Sequence, residues 1–384
     1  MKKFLKAFLA LFLAAALVLV GYVAYVLIQY YRIPDGQTLS VENETEELVS
    51  FDREYTISTY NIGFGAYDQQ FTFFMDVGFM ADGTEVTGEH SRAQSKDTVL
   101  FDTNGAVDTI AAFAPDFALF QEVDTDSHRS FFVNQYDLIK GGMSDYTTAF
   151  AVNFHSAYLA YPFGEPHGTV NSGIATMSKF KIESAVRKSF TVTDNIIDKL
   201  FDLDRCFSVS YLPIESSDKY LVIINVHMSA YDEGGVIRTQ QMKELRDFMD
   251  SEVLKGNYVI AGGDFNHDLL TNNPDYSYTG ENKPFADNIT QLTPEWLSFM
   301  YDESGASPFG EGFKVVASDN SPTCRDADIS WQPGITYVST IDGFIVSSNI
   351  EVISHENLIT STDNLEGFAY SDHEPATMTF KLIK

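Results

Sequence analysis

Apolar, β-rich runs in this 384-residue chain repeatedly finish in side chains that can move protons or bind cations. Asn61 closes the run 55–61, Glu122 follows the run 117–120, His227 follows 221–226, and Asp264 and Asn266 follow 258–261. Asp342 opens the run 341–346 after its first residue, and Asp372 with His373 precedes the run 376–382. Strand ends in layered α/β proteins are where sites are built, because a rigid sheet holds the side chain while the loop beyond is free to vary. Taken singly, each residue has an ordinary reading: Asn61 as a strand terminator, Glu122 as a solvated loop acid, His227 as a packing histidine. Their recurrence at one kind of position is what points to a site.

The elements that must carry these residues are short strands and intervening helices. The run 55–61 alternates and then stops at Gly63 and Gly65, a strand entering a loop. Residues 102–113 offer Thr103 or Asn104 as a cap and Val107, Ile110, Ala111 and Phe113 at helical spacing; Pro115 ends the helix, and a buried strand follows over 117–120. The same grammar gives a strand over 221–226, a helix over 237–254 with Leu245, Phe248 and Met249 on one face, and a strand over 258–261. With no internal repeat or low-complexity tract, this alternation predicts an α/β or mixed layered domain starting near Tyr55. The stretch 33–52, with Pro34, Gly36 and the acids Glu42, Glu44, Glu46 and Glu47, reads as a hydrated tether.

Composition narrows the function. Hydrophobic residues at 44% and charged residues at 21% exclude wholesale disorder. Twenty-five basic against 54 acidic residues give a formal charge of -29, which excludes coating nucleic acid by charge alone. A polyanionic substrate must then be held locally, by a bound cation. Two cysteines, Cys206 and Cys324, are too few for a disulfide scaffold or a cysteine-based zinc cluster, and whether they pair is open.

The N-terminus carries its own signal. Residues 7–28 lack charge and, at roughly 1.5 Å per helical residue, span a hydrocarbon layer of about 30 Å. Lys2, Lys3 and Lys6 precede this run and Tyr22, Tyr25, Tyr30 and Tyr31 crowd its far end, so the positive-inside rule keeps the short N-terminus cytoplasmic. The expected organisation is a cytoplasmic segment 1–6, an uncleaved single-pass anchor in the cell membrane over 7–28, a tether over 29–54, and an extracytoplasmic folded domain over 55–384. The competing reading is a cleaved signal peptide, with the small residues Ala14, Ala15 and Ala16 inside the apolar run and a secreted domain.

Seven segments in order resemble the endonuclease/exonuclease/phosphatase superfamily of metal-dependent phosphoesterases, which share the deoxyribonuclease-like fold. They are Ser58-Thr59-Tyr60-Asn61-Ile62, Phe120-Gln121-Glu122-Val123, Ser172-Gly173-Ile174-Ala175 before Ser178-Lys179, Asn225-Val226-His227-Met228, Gly263-Asp264-Phe265-Asn266, Ile341-Asp342-Gly343-Phe344, and Tyr370-Ser371-Asp372-His373-Glu374-Pro375. Arg238 with Gln241, and Pro322-Thr323 with Arg325, add weaker agreement. The resemblance implies an α/β (α+β) four-layered sandwich, two mixed β-sheets face to face with helices outside, preceded here by one transmembrane helix.

It also implies roles. Mg²⁺, or Mn²⁺, would be held by Glu122 with Asn61 and Asp372, consistent with a hard cation that needs few protein oxygens and keeps several waters. His373 would be oriented by Asp342, Asp264 would orient or deprotonate the attacking water, and Asn266 and His227 would contact phosphate oxygens. Which of Asp264 and His373 is the base stays open. The implied substrate is a phosphoester in nucleic acid or a phospholipid head group; the alternatives are a small-molecule or inositol phosphate phosphatase and a non-catalytic binding domain of the same fold. A monomer touching the bilayer through its N-terminal helix, with no protein partner, is expected. Departures are Gly343-Phe344, where an aromatic often follows the motif Asp directly, and the long segments 66–104 and 267–319, expected to flank the site and set substrate choice. Outside the motifs, His90, His128, His155, His167, His267 and His355 read as surface or packing residues; Arg129 follows the Glu122 strand closely enough to reach a substrate, but reads first as a helix-surface residue.

Overall fold

A computed structural model describes residues 2–192, 204–230, 236–276 and 290–384. The strands that matter, in chain order, are β1 Gln37–Leu39, β2 Val41–Glu42, β3 Glu54–Asn61, β4 Phe117–Asp124, β5 Thr147–Leu159, β6 Gly168–Ser178 and β7 Ser184–Ser189. They continue with β8 Cys206–Pro213, β9 Tyr220–His227, β10 Tyr258–Asp264, β11 Phe313–Val316, β12 Asp342–Ser347, β13 Ile350–Asn357 and β14 Ala376–Leu382. One seven-stranded sheet has the order β1-β7-β8-β9-β10-β12-β11 and the other β13-β14-β3-β4-β6-β5-β2. Each is mixed: β9 and β10 run parallel in the first, β3 and β4 in the second, while the flanking pairs are antiparallel.

The sheets pack face to face because both inner faces are apolar, with Leu119 and Ile174 on one side and Ile223, Ile260 and Phe344 on the other, all essentially inaccessible. Each such side chain contributes roughly 1.5–3 kcal/mol by leaving water. Polar ties also cross this interior, among them the Gln121 side chain, which donates to Asn225 Oδ1 at 2.8 Å, and Asn225 Nδ2, which donates to the carbonyls of Phe120 and Ala175. Satisfied buried amides of this kind fix the relative position of two sheets more narrowly than apolar packing alone.

Helices cover the outer faces. Helix α1 spans Lys2–Gln29, α2 Lys96–Phe113, α3 Gln135–Gly142 and α4 Val236–Leu254. Met242, Leu245 and Met249 of α4 pack on the first sheet; Ala106, Val107 and Ile110 of α2, with Tyr136 and Ile139 of α3, pack on the second. The result is the four-layered sandwich, helix, sheet, sheet, helix. Helix α2 starts at Lys96 rather than near Asp102, because Ser95 Oγ accepts the amide of Thr98 and caps the helix there. It ends where Ala114 turns left-handed ahead of Pro115.

The expected tether is corrected over residues 37–42. Strand β1 pairs with β7 in the first sheet and β2 with β5 in the second, so this short piece stitches the edges of both sheets together. Unpaired edge strands favour such augmentation, and Leu39 buries its side chain in the process. Helix α1 leaves the domain; only Val26 is buried along its length. Cys206 and Cys324 are both buried and free.

Candidate active site

Sheet register gathers the strand-end residues. Parallel pairing of β9 with β10 sets His227 opposite Asp264, and antiparallel pairing of β10 with β12 sets Asp264 opposite Asp342. From the facing sheet, Asn61 at the end of β3 reaches across: its Nδ2 donates to Asp264 Oδ2 at 3.0 Å and lies 3.4 Å from His373 Nε2. Asp264 Oδ1 also accepts the amide of Asn266 at 2.9 Å. His373 Nδ1 lies 2.8 Å from Asp342 Oδ2, and Thr323 Oγ1 accepts the amides of both Ile341 and Asp342, fixing where β12 begins. Asp342 is 0% exposed, and its carboxylate is hydrogen-bonded to the His373 imidazole and the Thr323 side chain.

Glu122 is aimed by backbone strain. It has φ 54° and sits in a bulge of β4, where the pairing with β6 shifts between Phe120 and Val123. A glutamate there costs about 1–3 kcal/mol, a strain concentrated at functional positions. The bulge turns the side chain out of the sheet to a place 3.8 Å from His227 Nε2, while His227 Nε2 is also 3.6 Å from Asp264 Oδ2. Asn266, at φ 49°, donates its side-chain amide to the Met228 carbonyl at 2.9 Å, which ties the loop after β10 to the loop after β9. Gln241 of α4 holds the latter loop from behind, accepting the Ser229 amide and donating to Ser229 Oγ.

Electrostatics separate the roles. Burial pushes the Asp264 carboxyl up to about 6, with Asp342 adding and the nearby His373 and Asn266 opposing. Burial alone would drive protons off His373, but the Asp342 carboxylate outweighs it and holds the imidazole well above its ordinary value, hence protonated at neutral pH. His227 goes the other way: burial first, then Arg205 and His373, keep it well below the ordinary range and neutral. Its Nδ1 faces Asn153 Nδ2 at 3.4 Å, which leaves Nε2 as the protonated nitrogen facing Glu122 and Asp264.

The donor set fits a hard divalent cation. Glu122, Asp372 and the amide oxygen of Asn61 are all oxygen ligands. Asp372 is raised by burial and further by the charge of Glu122, a repulsion that a bound cation would remove. A second group, Asp264, Asp342 and His373, brings ligand atoms within 4.8 Å of one another. There the His373 Nδ1 is committed to Asp342 and Asp264 Oδ2 accepts from Asn61, so hydrogen bonding rather than ligation accounts for the cluster.

Glu122, His227, Asp264, Asn266, Asp372 and His373 line one cavity of about 770 Å³, with Asn61 and Asp342 bonded to them from behind. Three residues outside the sequence motifs join them. Asn153 stands in a bulge of β5 with no local pattern to mark it. Arg129, expected on a helix surface, is instead buried in the cavity wall, forked onto Asp124 at 2.8 and 3.0 Å and stacked 3.9 Å over Phe64. Arg205, reached through burial rather than motif, is the third. Of the six unassigned histidines, His167 also lines the cavity, its ring pushed down to about 4 by burial and hydrogen-bonded to the Ser91 carbonyl. From the long segments, residues 73–76 and Trp296 form walls; residues 277–289 lie outside the described part.

Two mixed sheets face to face, with acid, amide and imidazole groups collected at one end, define the layered class of hydrolases that act on phosphoester bonds. The chain belongs to the endonuclease/exonuclease/phosphatase family, whose model matches residues 58–373. A sphingomyelinase C of Bacillus cereus is 27% identical over 135 residues, covering 32% of this chain and 38% of that protein, so the match spans little more than a third of the relative's length. Among solved structures, an endonuclease/exonuclease/phosphatase from Beutenbergia cavernae DSM 12333 superposes with a TM-score of 0.54 at 15% identity, covering 86% of this chain and 72% of that one. TDP2 from D. rerio, complexed with a single-strand DNA product, gives 0.51 at 13% identity, covering 86% and 100%. These likenesses establish the fold.

Proposed function

We propose that the chain is a divalent-metal-dependent phosphodiesterase, held at a membrane by its N-terminal helix, that hydrolyses the phosphodiester of a phospholipid head group by direct attack of water. The observation that carries this reading is the junction of Asp264 with Asn61, His227 and the His373–Asp342 pair, of which Asp264, His227 and His373 line one cavity. Asp264, ionised above about pH 6, takes a proton from the attacking water, and its orientation is fixed by the Asn61 side chain and the Asn266 amide. Protonated His373 and the Nε2–H of neutral His227 present donors to the non-bridging phosphate oxygens, where negative charge grows in the transition state. A cation held by Glu122, Asp372 and Asn61 would supply further charge neutralisation on the phosphate and lower the pKa of water. The new bond joins the water oxygen to phosphorus, the bond from phosphorus to the departing oxygen breaks, and that alkoxide leaves with a proton drawn from solvent.

Substrate choice rests on supporting features. The sphingomyelinase relative, the apolar helix α1 and the aromatic cavity walls formed by Phe64, Tyr67, Phe73 and Phe74 favour a lipid head group. A charge of -29 weighs against tracking a long nucleic acid. The test is a panel of sphingomyelin, other phospholipids, phosphoinositides, DNA and RNA assayed with and without EDTA. Metal-dependent cleavage of a phospholipid supports the proposal; cleavage of DNA or RNA alone replaces its substrate, and no cleavage of any phosphoester would leave a binding domain.

A further inference from the structure

The end of α1 is joined to the wall of the catalytic cavity. Tyr22 Oη donates to the Tyr158 carbonyl at 3.0 Å and accepts the Ala160 amide at 3.3 Å, while Tyr25 Oη accepts the Tyr158 amide at 3.2 Å. Just past the helix, the ring of Tyr31 lies 4.6 Å from that of His155. Residues 158–160 end β5 and lead into the connection to β6, and Tyr22, Leu159, Ala160, Tyr161 and Phe163 line the same cavity as His227 and His373. The anchor and the reaction centre therefore share one wall.

The rim of that cavity is apolar where water would ordinarily require polar groups. Phe163 is 88% exposed, Tyr161 63% and Met75 54%. Their neighbours extend the patch: Tyr161 packs edge-on against Phe163 at 6.1 Å and tilts against Phe74 at 5.8 Å. Exposed aromatics clustered around a ligand cavity mark an interaction surface. What covers this one is set by its position. The uncharged run 7–28 spans a hydrocarbon layer, so Tyr31 falls just beyond the water boundary, the level at which tyrosine and tryptophan collect, with Tyr25 and Tyr22 roughly 5 and 9 Å inside the end of the run. A rim bonded to Tyr22 and Tyr25 is therefore brought against the bilayer surface.

We infer that the cavity mouth faces the bilayer in which the chain is anchored, with Tyr161, Phe163 and Met75 seated among lipid head groups, so that the enzyme draws substrate from its own membrane leaflet. The charge of -29 on the chain repels an anionic surface, so the lipid class this face suits is zwitterionic, a phosphodiester carrying a cationic terminal group. The word substrate rests on the phosphodiesterase reading, and the orientation of the face rests on the anchor reading of the N-terminal helix.

The test uses the full chain in zwitterionic phosphatidylcholine vesicles. An environment-sensitive fluorophore is attached at Phe163→Cys or, as a control, at Leu254→Cys; the native Cys206 and Cys324 are buried and label poorly. Leu254 is 88% exposed at the end of α4 that leads back to the start of β10, the end of that strand away from Asp264. Lipids carrying a nitroxide near the head group should quench the label at 163 at least about twofold and leave the label at 254 unchanged. No quenching at 163, or equal quenching at both, overturns the inference. A second measurement compares hydrolysis of lipid in the enzyme's own vesicles with lipid in separate acceptor vesicles, using a water-soluble phosphodiester as reference. At least tenfold faster cleavage in the enzyme's own vesicles is expected. If the soluble diester is cleaved while lipid in the two vesicle pools is cleaved equally or not at all, the orientation fails and the phosphodiesterase reading stands. If the soluble diester is not cleaved, the phosphodiesterase reading fails and the pair of quenching measurements decides the orientation.

Discussion

Replacing Asp102 by Asn should stabilise the protein, by an amount that grows with pH. Asp102 lies on the inward face of α2, 0% exposed, and neither carboxylate oxygen has a hydrogen-bond partner among the described residues. Burial pushes its carboxyl from 3.8 up to about 9, with the charge of Asp68 adding. The sign follows from linkage: below 3.8 the group is neutral in both states and costs nothing, and as pH rises toward 9 the unfolded chain releases a proton that the folded chain must keep. At pH 7 the difference is about three pKa units at 1.36 kcal/mol each, an upper bound of about 4 kcal/mol. Relaxation and the buried amide of the new Asn reduce the net gain to about 1–3 kcal/mol, or roughly 2–4 °C in Tm for a domain of this size. Melts in EDTA at pH 5 and pH 8 test it, since metal binding is then held out. The expected gap is near zero at pH 5 and clear at pH 8. A gap that does not change with pH, or an Asn variant less stable at pH 8, would refute the reasoning.

Other consequences concern the site. Glu122→Gln should abolish metal-stimulated hydrolysis while leaving the apo Tm unchanged or slightly raised, because one of two repelling acids is removed; titrating Mg²⁺ against rate and melting checks both. Asp342→Asn and His373→Ala should each lower kcat/KM by about 10²-fold or more, and the double variant should be little worse than the worse single one, as groups acting as a unit are non-additive; additive losses would mean that the two residues work separately. The pH-rate profile should rise as Asp264 loses its proton, with a limb near or below about 6, lower when a bound cation favours the carboxylate; an acid limb unchanged in Asp264→Asn would remove that residue as its source.

The sandwich was readable because its strands are short apolar runs bounded by glycine, proline and polar residues, and because those boundaries coincide with Asn61, His227 and Asp264. Pairing register, which brings Asp342 opposite Asp264, depends on contacts between segments far apart in the chain and leaves no local mark. The motif marks Glu122, but the bulge and positive φ that aim it leave no trace in the sequence. Asn153 lies mid-strand in another bulge, and Arg129 is buried by partners, Asp124 and Phe64, whose positions only the fold reveals. Strands of two or three residues, as in 37–42, are too short for periodicity to register, which is why the piece joining the sheet edges reads as a tether.

Turnover of a chromogenic bis-aryl phosphodiester by the full chain and its Asp264→Asn variant, in EDTA and after adding back Mg²⁺ or Mn²⁺, addresses the assigned chemistry at its source. The wild type should be inactive in EDTA and recover with metal, and Asp264→Asn should lose about 10²-fold or more in kcat at saturating metal with its Tm retained. Full turnover in EDTA, or a variant that keeps most of the wild-type rate, would contradict a cation-assisted attack of water oriented by Asp264.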